Sequence, residues 1–519
     1  MQALAAAAAG LLHTAAFAPV EAWWLQILAL AGLAGLVWQA RPRRAALLGW
    51  VFGTAWLASG LWWLYISMHR YGGLPAPLAA AAVGLLAAAL ALYLALALAL
   101  WARWAQRRPD GLAGGVAGRV ALFAALWLGA ELARAQLFTG FPWIASGYAH
   151  TSGPLAGWAP WIGVYGIGAL AAVAAAALAA FVHAGTGPAH KPAAAVLGAA
   201  LLAVAAGWAL PQDFTRSSGR LSVSLVQPNI AQDLKFDASR IDANLDALAR
   251  AVEAARGQLV VTPESVVPLP FAAVDPAYWQ RLQRAVAGAG QPPGRAALVG
   301  GFLGDEHAGY VNSMLGLDAG SDLAAQRFYA YGKRHLLPFG EFIPPGFGWF
   351  VRAMAIPLDD QARGRHQAPM AVVGQRLRPL ICYEDLFGED IVASAVDGPD
   401  AATVWVNASN LAWFGTVMVL DQHLQFSRMR ALEFQRPLVR STNTGATAVV
   451  DHRGRVSAAL PPAVAGTLEA EVEGRSGATP YARWLHATGL WPLWGLVLAA
   501  VLAGPGLGGW RGRGRRSGR

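Results

Sequence analysis

The sequence predicts an integral-membrane α-helical bundle of about eight spans that carries one α/β domain. Three observations predict it. Of 519 residues, 56% are hydrophobic and only 13% are charged, whereas a soluble chain carries about 25% charged residues. Up to about residue 210 the apolar residues come in runs of roughly 20, enough to cross a bilayer core. From about 215 to 480 the composition shifts: most Asp and Glu lie there, and strand-like runs alternate with amphipathic ones.

The apolar runs are 3–18, 22–40, 45–68, 77–103, 117–137, 158–183 and 193–210, with an eighth at 485–505. The first lacks the positive flank of a cleaved leader, so it is expected to stay on the chain. Basic loops follow the second, fourth, sixth and last runs: "ARPRR" (40–44), "RWAQRRPD" (103–110), "HAGTGPAHK" (183–191) and "WRGRGRRSGR" (510–519). Eight spans put all of them on the cytoplasmic side. Topology then accounts for the formal charge of +10, and no nucleic-acid partner is needed. The expected organisation is helices one to seven over 1–213, an extracytoplasmic α/β domain over 214–480, and a last helix with a basic cytoplasmic tail over 481–519.

Within 214–480, strands are expected at 220–227, 258–263, 295–302, 377–382, 402–408 and 445–452. Helices are expected at 238–256, 277–288, 388–396 and 421–436. The alternation in the first half points to a layered α/β fold. No Gly-rich phosphate loop follows a strand, and no His/Glu pair has zinc-protease spacing. Nothing in the sequence calls for a metal or an organic cofactor.

The chemistry starts from "LICYEDLF" (380–387), which holds the only cysteine, Cys382. A lone Cys excludes an intrachain disulfide and a cysteine-built metal site; by itself it is as readily a small core residue. The 40 Lys and Arg include only three lysines, Lys191, Lys235 and Lys333. An ammonium can act as a compact point donor or change protonation state, roles that Arg fills poorly. Glu264 ends "LVVTPES", Lys333 follows the strand-like "RFYAYG", and Cys382 ends "LRPLIC". Each alone has a bland reading as a turn, strand end or core residue. Together they are the parts for acyl transfer: a thiol nucleophile, a base and a cation for an oxyanion.

"TPES", "YGKRHLLPFGE" and "ICYED" resemble, in order, the three motifs of the carbon–nitrogen hydrolase (nitrilase) superfamily, whose Glu-Lys-Cys triad sits on an αββα sandwich. The chain as a whole, with "SLVQPNIAQDLKFD", "PFGEFIP", "NASNLAWFG" and "QHLQFSRMRALEFQRPLVRSTNTGATAVVD", resembles the apolipoprotein N-acyltransferase family of the bacterial inner membrane. That resemblance implies Cys382 as nucleophile, Glu264 as general base and Lys333 as oxyanion donor. It implies supporting roles for Glu341, Tyr383 and Glu384. Two positions depart from the family pattern. Phe236 stands where Trp is common, and Leu411 where Asp is usual; Leu411 receives no role.

The implied reaction has two steps. Cys382 takes an acyl group from a membrane phospholipid, with phosphatidylethanolamine or phosphatidylglycerol the expected donor. The α-amine of a diacylglyceryl-cysteine at the N-terminus of an apolipoprotein then takes it from the thioester, completing lipoprotein maturation. Phe236, Trp413 and Phe414 are candidates for lining the lipid. The apolar stretch 342–360 is expected to be an arm dipping toward the bilayer. Two rivals remain. A membrane-tethered nitrilase-type amidase acting on a small amide would use the same triad, though eight spans exceed what tethering needs. A transporter would need ionisable residues inside the spans, for which Glu131 and Arg134 are the candidates.

Overall fold

The computed structural model describes residues 1–105, 115–344, 346, 348 and 360–503. Most of the expected arm 342–360, part of the loop 103–110 and the tail 510–519 lie outside the described residues. The chain divides into two compact units, Met1–Trp62 with Ala80–Gln212 and Thr488–Arg519, and Trp63–Ala79 with Asp213–Ala487.

The first unit is helical. Among the described residues, Ala76–Ala105, Val116–Thr139 and Pro154–Ala184 are long and apolar enough to cross a membrane, and the number reaches five if each of two bent helix pairs is one span. Trp23–Val37 and His190–Ala206 are apolar helices of 15 and 17 residues. The expected run 45–68 is not one helix: Pro42–Gly60 stops, and a short turn Leu64–Ile66 leads into a π-helical turn Ser67–Tyr71. Glu131 and Arg134 pair at 3.4 Å. Arg134 also donates to the carbonyls of Phe141 and Trp143, both at 2.8 Å, and the Glu131 carboxylate accepts the Ser146 N–H at 2.9 Å. The pair is therefore occupied in holding the 141–146 backbone, a structural task that gives the transporter reading no support.

The second unit is a four-layer sandwich. One sheet has the order β12-β1-β2-β3-β4-β5 and the other β11-β10-β9-β8-β7-β6. Their ranges are β1 Thr215–Gln227, β2 Leu259–Val261, β3 Ala296–Asp305, β4 Gly309–Leu317, β5 Tyr329–Gly332, β6 Met370–Val372, β7 Gln375–Ile381, β8 Val404–Ser409, β9 Leu438–Thr442, β10 Ala448–Val450, β11 Val456–Ala459 and β12 Gly466–Gly477. Strand alternation sorts the side chains. Leu221, Val223, Leu225, Leu259, Val261 and Leu298 meet Leu377, Ile381, Val404 and Val406 between the sheets. The intervening residues Val226, Val260, Ala297 and Val299 face outward onto Leu245, Leu248, Trp279 and Leu282 of the helices Ala238–Ala254 and Pro276–Ala287. Each such Val or Leu contributes about 1.5–3 kcal/mol when fully buried. On the far side, Trp405 of β8 packs edge-on to Phe434 of helix Val419–Phe434 at 5.3 Å.

Local sequence explains the helix starts. Asp237 accepts the Ser239 N–H and Asp275 the Ala277 N–H, each satisfying a first-turn donor, and Pro276 suits the first helical position. The six expected strands all appear with shifted ends. The expected helix 388–396 is a short α-turn Gly388–Ile391 followed by a 3-10 turn Val392–Ala395. Strands β4, β6, β9, β11 and β12 lie outside the expected ones.

Candidate active site

Three chain turns supply the polar groups. Pro263 follows β2, and Glu264 and Ser265 make a turn in which Ser265 has φ +46°. Lys333 follows β5, its N–H bonded to the Asn312 carbonyl of β4 at 2.8 Å. Cys382 follows β7 and opens the 3-10 turn Cys382–Leu386 with φ +52°. A non-glycine residue held in the left-handed region is strained, and surrounding contacts must hold it there. Here the Cys382 carbonyl accepts from Asn407 Nδ2 at 3.1 Å and meets His423 Nε2 at 3.2 Å.

The structure brings Glu264, Lys333 and Glu341 into one buried cluster. Lys333 Nζ lies 3.1 Å from Glu264 Oε1 and 2.6 Å from Glu341 Oε1. Asn312 Nδ2 donates to both carboxylates, at 2.7 and 3.2 Å. Glu264 Oε2 accepts the Asn410 N–H at 2.9 Å, and Glu341 Oε2 accepts the Leu337 N–H at 2.8 Å.

The electrostatics of this cluster separate its members. Burial opposes charge on Glu264, but Lys333, the Asn312 amide and Lys235 outweigh it and hold the carboxyl below the usual range. Burial and the Glu264 charge push Glu341 up, against the pull of Lys333. Burial works against the Lys333 ammonium, yet Glu264 and Glu341 overcome it and push its pKa up. Burial, then Glu264, raise the Cys382 thiol far above its ordinary value, with Lys333 opposing. The resting state is therefore an ionised Glu264, a charged Lys333 and a protonated thiol. A proton acceptor is needed before sulfur can attack.

Tyr383 and Glu384 are buried rather than exposed to the site. Tyr383 is edge-on to Phe387 at 5.1 Å. Glu384 ties the cysteine turn to the lysine loop: Oε1 accepts the Arg334 and His335 N–H groups at 2.8 and 3.2 Å, and Oε2 accepts the Ile381 N–H and the Tyr331 hydroxyl, both at 2.8 Å. Phe236 is 52% exposed, with Lys235 Nζ 5.7 Å from its ring. Trp413 and Phe414 are half-buried, edge-on to Tyr71 at 5.5 Å and Trp63 at 4.8 Å. Leu411 is buried.

Several residues escaped the sequence reading. Asn312 sits inside β4, a strand that the sequence does not mark, so nothing singles out its amide. Lys235 was noticed as a rare lysine but received no place. It is 2% exposed, donates to Ser265 Oγ at 2.8 Å, and burial pushes its pKa down to about 8 while Glu264 pulls it back. Behind Cys382 lies a closed network. His423 Nε2 is 2.9 Å from Asp385 Oδ1, Arg440 Nη1 is 3.2 Å from Asp385 Oδ2, and Arg440 Nη2 is 3.0 Å from His423 Nδ1. Two acceptors at Nε2 and a cationic donor at Nδ1 select the neutral, Nε2–H tautomer of His423.

Residues 222–481 match the family model described as Carbon-nitrogen hydrolase, and residues 9–177 match that described as Apolipoprotein N-acyltransferase N-terminal domain. The double sheet with its buried Glu-Lys cluster and cysteine turn is therefore a carbon–nitrogen hydrolase domain. An apolipoprotein N-acyltransferase of Ralstonia nicotianae is 48% identical over 96% of this chain and 92% of its own length. That of Verminephrobacter eiseniae is 47% identical over 90% of this chain and 89% of its own. The chain belongs to the apolipoprotein N-acyltransferase family. Among solved structures, it resembles a CN-hydrolase superfamily protein of Xanthomonas campestris at 17% identity and TM-score 0.36, over 52% of this chain and 96% of that one.

Proposed function

We propose that this protein transfers an acyl group from a membrane phospholipid to the α-amine of the diacylglyceryl-cysteine of an apolipoprotein, through a thioester on Cys382. One observation carries the chemistry. Glu264, Lys333 and Glu341 form one buried hydrogen-bonded cluster, and the only thiol of the chain lies within its electrostatic reach.

In the first half-reaction Glu264 takes the thiol proton as Sγ attacks the ester carbonyl of the phospholipid. The carbonyl oxygen becomes an oxyanion, stabilised by the Lys333 ammonium. Collapse breaks the C–O bond, Glu264 returns its proton to the leaving alkoxide, and a lysophospholipid departs. In the second half-reaction the neutral α-amine attacks the thioester. An α-amine with a pKa of about 8 is partly neutral near pH 7. Glu264 takes the amine proton, the C–S bond breaks, the amide forms, and the proton returns to sulfur. Glu341 holds Lys333 in place in both halves.

The supporting reading of setting is a bacterial inner membrane crossed by about eight spans, with the domain on the periplasmic side. The charge-poor and charge-rich loops alternate as that topology requires. The donor is phosphatidylethanolamine or phosphatidylglycerol. Phe236, Trp413 and Phe414 are the residues we assign to lipid contact. The curated relatives described above carry the acyltransferase name, which weighs against the small-amide hydrolase alternative. The test is incubation of the purified protein with phospholipid labelled in its acyl chain and a diacylglyceryl peptide. The label is expected in an amide on the peptide; release of free fatty acid alone would refute the proposal.

A further inference from the structure

A cavity of about 330 Å³ in the second unit is lined by Arg334, His335, Arg363, Arg378, Glu384 and Asp390 among others. Its composition is unusual in one respect: three guanidiniums share it with two carboxylates that are already engaged. Glu384 accepts four hydrogen bonds, from three backbone N–H groups and the Tyr331 hydroxyl. Asp390 is 2.8 Å from His335 Nδ1.

Arg378 is the telling residue. It is 5% exposed and lies over the Tyr331 ring at 4.9 Å. Its Nη1 donates to the Gln367 carbonyl at 3.0 Å, and among the described residues its buried Nε has no hydrogen-bond partner. A buried guanidinium N–H without an acceptor is destabilising and favours a site that can supply one. Arg334 and Arg363 are exposed at the same cavity. A wall of three forked donors, one of them a buried guanidinium, matches the tetrahedral oxygens of a phosphate better than a single carboxylate. The volume also leaves room for a substituent on that phosphate.

We propose that this cavity binds a phosphate group, with Arg334, Arg363 and Arg378 as its donors. The group is either the headgroup phosphate of a phospholipid or a free phosphate; the chemistry that recognises them is the same. The inference does not rest on the acyl-transfer reading, because binding is read without turnover.

The test uses the full chain in a phosphate-free detergent at low ionic strength, titrated calorimetrically with inorganic phosphate and with glycerophosphoethanolamine. Saturable binding of one equivalent of at least one probe is expected. Arg363→Gln and Arg378→Gln should each weaken it by about tenfold or more, the loss of a charge-assisted contact. Arg363 is exposed, so its variant tests the site even if Arg378→Gln does not fold. Tighter binding of glycerophosphoethanolamine, with a raised KM for phospholipid in Arg363→Gln, identifies the headgroup as the source. Binding of inorganic phosphate with an unchanged phospholipid KM identifies free phosphate. No saturable binding of either probe, or equal binding by wild type and Arg363→Gln, overturns the proposal.

Discussion

Lys333 Nζ stands 2.6 Å from Glu341 and 3.1 Å from Glu264, one ammonium shared by two buried carboxylates. Two like charges this close repel, and all three groups have lost their hydration. The arrangement holds only because the Asn312 amide and two backbone N–H groups take up the remaining carboxylate lone pairs.

That balance makes Lys333 hard to replace. Lys333→Met should leave two buried carboxylates uncompensated and cost about 3–5 kcal/mol of stability. Lys333→Arg keeps the charge, but a planar fork cannot fill a point-donor position. It should lose at least about a hundredfold in kcat, the scale of one oxyanion donor. Folding by circular dichroism and acyl transfer by label check both. Near wild-type turnover in Lys333→Arg would remove Lys333 from the oxyanion role.

The pH profile tests the base. Glu264 lies below the usual carboxylate range, so the acid limb of kcat/KM should too. Lys235 is one of the charges that lower it. In Lys235→Met that contribution is gone, Glu264 binds its proton more tightly, and the acid limb should move to higher pH. An unmoved limb in Lys235→Met would show that the limb does not report Glu264.

His423, held by Asp385, grips the Cys382 carbonyl together with Asn407. Loss of that grip should let the strained turn relax. His423→Ala is expected to lower kcat by roughly a hundredfold, the scale of a small misplacement of a reacting atom, with little change in KM. His423→Gln can donate at the same place and should recover part of the rate. Equal loss in both variants, with lowered thermal stability in both, would indicate a folding role only.

Sidedness follows from the loop charges. Reporter fusions after Gly111, Pro188 and Arg513 should read as cytoplasmic, and fusions after Gly73, Gly153 and Asp305 as lying across the membrane. A cytoplasmic reading at Asp305 would contradict the proposed periplasmic domain.

The sequence made part of this legible, for identifiable reasons. β2, β3 and β8 carry short apolar runs, and β1 alternates Leu221, Val223 and Leu225 with serines, so these strands stand out. β12 reads "GTLEAEVEGRSG", with Glu469, Glu471 and Glu473 on one face and Ala470 and Val472 on the other. Its pairing with β1 is long-range, and nothing local marks an edge strand so rich in Glu. The polar candidates were visible because Glu264, Lys333 and Cys382 each follow a strand. Asn312 and the Asp385–His423–Arg440 network were not visible, because their partners lie up to 55 residues apart in the chain. The ends of the membrane helices were less legible. Apolar runs are continuous in the sequence, but the helices Trp23–Val37 and His190–Ala206 stop short of them.

The central claim is a covalent acyl-enzyme on the only cysteine of the chain. The most direct measurement is mass spectrometry of the protein purified from membranes, focused on the peptide that contains Cys382. The account predicts a fatty-acyl adduct on that peptide that neutral hydroxylamine removes, that disappears in Cys382→Ser, and that is discharged by a diacylglyceryl peptide with an α-amine. An unmodified Cys382 after incubation with phospholipid, in a preparation that still acylates the peptide, would contradict it.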